Sequence, residues 1–104
     1  MTPFEMRASI APGHPALPGH FPGAPVVPGV VLLDEVLRAA RQALGADAGH
    51  ATLPWVKFHA PLRPGEEFVS RLEPLGVGSF RFTVRRGETL IASGSLSFAP
   101  REPA

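Results

Sequence analysis

An α+β domain, with about five antiparallel strands packed on one long helix, is the fold class that this sequence predicts. Three observations carry that reading. Pro28 and Gly45 bracket about sixteen residues of good helix formers, with proline suited to a helix start and glycine to its end. Elsewhere, short segments alternate apolar and polar residues with period two and are separated by short turns. No second helical segment alternates with those strands, so a parallel sheet built from βαβ crossovers is not expected. The 104 residues read as a single domain, 1–104, without internal repeats.

Thr2 to Ile10 opens the chain as a half-buried strand, with Phe4, Met6, Ala8 and Ile10 on one face and Glu5, Arg7 and Ser9 on the other. From Ala11 to Pro28 a proline recurs every few residues, which denies the backbone both a helix interior and a sheet ladder. His14, Leu17, His20, Phe21 and Val26 within this segment point to a stiff loop that packs. In the helix that follows, Val30, Val31, Leu32 and Leu33 are apolar all round, so its first turns are expected to be enclosed by other structure. Beyond Asp34 only one stripe, Val36, Leu37, Ala40 and Leu44, stays apolar. Leu53 to Ala60 then reads as a strand, Pro61 to Glu67 as a turn and Phe68 to Glu73 as a strand. The alternating segments around Phe80–Val84 and Leu90–Phe98 read as a hairpin closed at Arg85–Glu88.

Bulk composition excludes several functions. A formal net charge of +1 gives no basis for nucleic-acid binding, and no stretch approaches the roughly 20 apolar residues of a membrane span. The absence of cysteine removes disulfides and thiolate chemistry and fits a cytoplasmic setting. No histidine pair has metal-ligand spacing with a third ligand, and no serine stands in a nucleophile-elbow context. Arg63, Arg81, Arg85 and Arg86 read most simply as solvated strand and turn residues. A domain this small buries only about two thirds of its unfolded surface, so a large site is expected to borrow a partner subunit.

Asp34 is the position where packing and chemistry conflict. A buried, unpaired carboxylate costs several kcal/mol. The residue is therefore protonated, hydrogen-bonded, or exposed beside Arg38, with which its i, i+4 spacing permits a pair. His20 taken alone is an ordinary loop histidine.

Together these residues form a pattern. GHFPG followed by PVVPGVVLLD (Gly19 to Asp34) resembles the signature of the hotdog-fold 3-hydroxyacyl-acyl-carrier-protein dehydratases, the FabA/FabZ-like family, of which this would be a compact member. One histidine, three glycines and three prolines agree in identity and spacing. WVKFHAPLRPGEEF (Trp55 to Phe68) resembles the same family's strand and P-x-x-P-G-[DE] turn.

The resemblance implies a hotdog fold, a curled sheet wrapped around the helix, and a homodimer or higher oligomer with shared active sites. His20 of one chain would face Asp34 of the other. It implies β-elimination of water from a 3-hydroxyacyl thioester carried on acyl carrier protein or coenzyme A, with no cofactor and no metal. His20 would take the C2 proton and Asp34 would assist departure of the C3 hydroxyl. Apolar surroundings favour the protonated form of a carboxyl group, the form able to donate. Gly29 N–H would stabilise the thioester oxygen as it gains charge, helped by the helix dipole, with Phe21 and Val30 beside the substrate. Fatty acid synthesis and polyketide-like or aryl polyene synthesis both fit. A thioesterase and a non-catalytic acyl-binding subunit are the competing readings on this fold.

Overall fold

The computed structural model describes residues 2–15, 26–45 and 49–99. Its elements, in chain order, are β1 (Phe4–Ser9), α1 (Gly29–Leu44), β2 (Ala51–Phe58), β3 (Glu67–Gly76), β4 (Ser79–Arg86) and β5 (Thr89–Phe98). The five strands form one sheet in the order β1-β3-β4-β5-β2, every pair antiparallel. This is the one-helix, five-strand arrangement that the hotdog resemblance implies.

The helix spans the residues expected. Pro28 stands one position outside it, in extended conformation (φ −60°, ψ 144°), and Gly45 ends it with φ 84°, its N–H donating to the Arg41 carbonyl at 2.9 Å. Val31, Leu32, Val36, Ala39 and Ala40 face the sheet and are buried. Each of the three larger side chains contributes about 1.5–3 kcal/mol through removal from water. They pack on an inner sheet face that includes Phe68, Leu72, Phe80, Phe82, Val84 and Leu96, and all six are at least 96% buried. The enclosure expected at the first turns fails on one side. Val30 points away from the sheet and stays 69% exposed.

β3 and β4 run longer than the alternation suggested, β1 is shorter than Thr2 to Ile10, and β2 keeps the expected length but starts two residues earlier than Leu53. Of three register shifts in the sheet, one of them at Pro74–Gly76 between β3 and β4, two bear on the site. Between Thr52 and Trp55 the β2 strand carries an extra residue at Leu53–Pro54 relative to β5. Pro54 is tolerated there because β2 is an edge strand and a bulge needs no ladder bond from it. The second shift lies between β4 and β5, where Val84 pairs with Ala92 but Arg85 pairs with Leu90, leaving Ile91 as the extra residue. Continuous alternation would put Leu90 in the core. The bulge instead buries Ile91, at 1% exposure, and leaves Leu90 half-buried. Where β4 turns into β5, Gly87 takes φ 57°, which suits the two-residue connection Gly87–Glu88.

Gly94 shows how tightly the inner face is packed. It pairs with Phe82 on one side and Val56 on the other. A Cβ at Gly94 would lie 2.6 Å from both the Phe82 ring and the Trp55 carbonyl oxygen. Gly94→Val is expected to lower stability by about 1–3 kcal/mol in urea denaturation, since neither the buried ring nor the backbone can yield cheaply. An unchanged midpoint would contradict this packing.

Candidate active site

The start of α1 combines unsatisfied donors with an apolar cavity. Val31 N–H and Leu32 N–H donate to the Pro28 carbonyl at 3.0 and 3.3 Å. As the first helical residue, Gly29 has no intrahelical acceptor, and its N–H has no acceptor among the described residues. No acidic side chain occupies the first turn to compete for this amide. The positive end of the helix dipole therefore faces the cavity without a counter-charge from its own helix.

An open cavity of about 460 Å³ lies against Gly29, walled by Val26 to Gly29 on one side and His59 to Leu62 on the other, with Leu32, Phe58 and Ile91 completing it. A Cβ at position 29 would sit 2.6 Å from Phe58 Cζ, so any side chain there has to push the Phe58 ring aside. The two walls are tied together by Val27 N–H donating to the Leu62 carbonyl at 2.8 Å. Behind them the Ile91 carbonyl accepts from His59 N–H at 2.8 Å and Ala60 N–H at 3.3 Å. The His59 ring is engaged by the sheet, with Nε2 2.8 Å from Ser93 Oγ.

Asp34 lies elsewhere. At about 100° per residue, five residues carry it roughly 140° round the helix from Gly29. It is exposed and lines a separate groove with Leu37, Arg38, Arg41 and Gln42. The i, i+4 pair with Arg38 does not form. Arg38 Nη2 is instead 3.8 Å from Glu35 Oε1, one position further round. Val30, 69% exposed, lies one turn before Asp34 on the outward side, while Leu37 beside it is partly buried against the core, so the apolar setting expected for this carboxyl group is only partly supplied by its own chain. His20 and Phe21 lie outside the described residues. Among the described residues no group of three potential ligands converges on a metal position.

Phe58, His59 and Ile91 border the site without having been singled out in the sequence. Phe58 was findable by extending the Val56, Phe58 alternation to the strand end. Ile91 was not, because the bulge that turns it inward leaves no mark in a run of apolar and small residues.

The family model for ApeI-like proteins, described as ApeI dehydratase, matches residues 2–95. The chain belongs to the ApeI-like dehydratase family. A 3-hydroxyacyl-[acyl-carrier-protein] dehydratase FabZ from Vibrio atlanticus is 31% identical over 90% of this chain and 71% of its own length. The FabZ from Thermomicrobium roseum is 34% identical, with 91% and 71% covered. In fold the chain is similar to the dehydratase heterocomplex ApeI:P from Xenorhabdus doucetiae, with a TM-score of 0.80, 23% identity, and 95% and 88% of the two chains covered. A probable thioesterase from Bartonella henselae shares the fold at a TM-score of 0.67 and 15% identity, with both chains covered in full.

Gly29→Ala drives a methyl group into the Phe58 ring, which is half exposed and able to swing aside. The expected stability change is within about 1 kcal/mol, because alanine also favours the helix. A double-mutant cycle with Phe58→Ala, read by urea denaturation, should return a coupling of about 0.5 kcal/mol or more. Strict additivity would contradict the ring's packing on Gly29.

Proposed function

We propose that this chain dehydrates 3-hydroxyacyl thioesters, carried on acyl carrier protein, to trans-2-enoyl thioesters. The observation that carries this reading is the Gly29 amide, which has no acceptor among the described residues, beside an apolar cavity in a chain whose His20 and Asp34 stand at the positions of the dehydratase signature. Neutral His20 removes a proton from C2, and the negative charge that develops on the thioester oxygen is met by Gly29 N–H. Asp34 gives a proton to the departing C3 hydroxyl, so water leaves and the C2–C3 double bond forms. The acyl chain runs past Phe21 into the apolar cavity.

The opposed placement of Gly29 and Asp34 supports a site shared between two copies of the chain. Asp34 cannot serve the cavity next to its own Gly29 from the far side of the helix. A second protomer laid over the stripe of Val30, Asp34 and Leu37 would enclose that carboxyl group and present it to the partner's His20 and Gly29. The β2 edge supports the same arrangement. That strand is paired only with β5 among the described residues and leaves Trp55 43% and Phe58 54% exposed. Apolar side chains beside an unpaired edge favour pairing with another copy. Val30 is then a contact between protomers at the substrate. No helix among the described residues is long and apolar enough to cross a membrane; a cytoplasmic setting is part of the proposed reading.

The experiment is an assay of purified protein with 3-hydroxyacyl and 2-enoyl carrier-protein thioesters, following water loss, its re-addition and free thiol. Dehydration without thiol release is expected. His20→Ala and Asp34→Asn should each lower the rate by roughly 100-fold or more while circular dichroism and assembly size stay unchanged. Thiol release in place of dehydration would identify a thioesterase, and full activity in either variant would remove that residue from the mechanism.

A further inference from the structure

The P-x-x-P-G-[DE] turn has no part in the chemistry above, yet the cavity wall is built on it. Arg86 was read as a solvated turn residue. The structure corrects that. As an even-numbered residue of β4 it shares the inner face with Phe82 and Val84, and its side chain is two-thirds buried beneath the end of the sheet. One nitrogen, Nη1, donates to the Pro61 carbonyl at 2.9 Å and to Glu66 Oε1 at 3.2 Å. The same Glu66 oxygen accepts from Arg63 N–H at 2.7 Å. Arg86 and Glu66 thus fasten both ends of the connection between β2 and β3.

Besides the His59 and Ala60 N–H bonds to the Ile91 carbonyl near β2, that connection is tied to two other segments. Gly65 N–H donates to the Ile10 carbonyl at the end of β1 at 2.8 Å, and the Leu62 carbonyl receives Val27 N–H two residues before Gly29. Leu62 itself is 2% exposed. A shift of the turn therefore moves one cavity wall directly and the helix start through a single hydrogen bond. Exposed ion pairs such as Arg7 with Glu67, at 2.9 Å, lack this consequence, since they join strands already held by a ladder.

We infer that Arg86, through Glu66 and the Pro61 carbonyl, is a positioning residue that holds the β2–β3 connection, and with it the Gly29 amide, at the distance the reaction requires. The inference rests on the proposed dehydration for its kinetic consequence but not for its structural one. A charged donor held by two acceptors makes directional hydrogen bonds of above-average strength. Small displacements of a donor aimed at developing charge lower the rate without an equal loss of binding.

The test is Arg86→Met, which keeps most of the side chain's bulk and removes its donors, with Arg86→Lys as the conservative variant. Amide hydrogen exchange at Val27 should accelerate in Arg86→Met, kcat should fall on the order of tenfold with KM nearly unchanged, and Arg86→Lys should restore both. Unchanged Val27 protection would overturn the inference. So would faster exchange with wild-type kcat, because the brace would then be structural only. Should the methionine variant not fold, Glu66→Gln, which weakens the same contact, is read by the same two measurements. If the wild-type protein dehydrates no substrate, the proposed function fails, while loss of Val27 protection in the variant still supports the brace.

Discussion

The hydrogen bond from Val27 N–H to the Leu62 carbonyl is the constraint on which the rest of this site depends. It joins the segment entering the helix to the connection between two strands, elements far apart in the chain. Without it, the first turn of α1 would be placed only by side-chain packing, and Val30 contributes nothing to that packing in the single chain. With it, the Pro28 carbonyl is free to accept from the third and fourth helical amides, Val31 and Leu32, while Gly29 borders the cavity. The Phe58 ring then sets the tolerance, since it lies so close to Gly29 that a side chain there would have to displace it.

A second constraint is angular. Residues five apart on a helix face different ways, so the donor at Gly29 and the carboxyl group at Asp34 belong to different surfaces of one protomer. Val31, Leu32 and Val36 fill the side against the sheet, and the outward side is left to Val30 and Asp34, with Leu37 at its margin partly buried against the core. In the proposed reaction this division becomes useful, because each copy contributes a donor edge to one site and an acid to the other. The exposed aromatic residues on the β2 edge and the half-apolar stripe of the helix then have a common explanation in a second copy of the chain.

Much of the architecture was legible because local signals and tertiary structure agree. Pro28 and Gly45 mark the helix, and the alternation of β1 and β4 follows directly from one wet and one dry face. Legibility ended where the register slips. The bulge at Ile91 reverses the expected roles of Leu90 and Ile91, and nothing in a stretch of leucine, isoleucine and alanine announces it. Arg86 was misread for a related reason. At a strand end, an arginine can lie flat on solvent or reach under the sheet, and only the three-dimensional path of Pro61 to Glu66 decides between them. The signature residues were readable as a pattern, but the opposed orientation of Gly29 and Asp34 follows from helical geometry that a motif alone does not display.

The central claim is that the Gly29 amide receives the charge on the thioester oxygen. A crystal structure with a 3-hydroxyacyl pantetheine in which an amide replaces the thioester tests it most directly. The substituted carbonyl oxygen is expected about 3 Å from Gly29 N, with the acyl chain in the cavity beside Phe58 and Ile91. A carbonyl oxygen held by another donor, with Gly29 N–H turned to solvent, would contradict it.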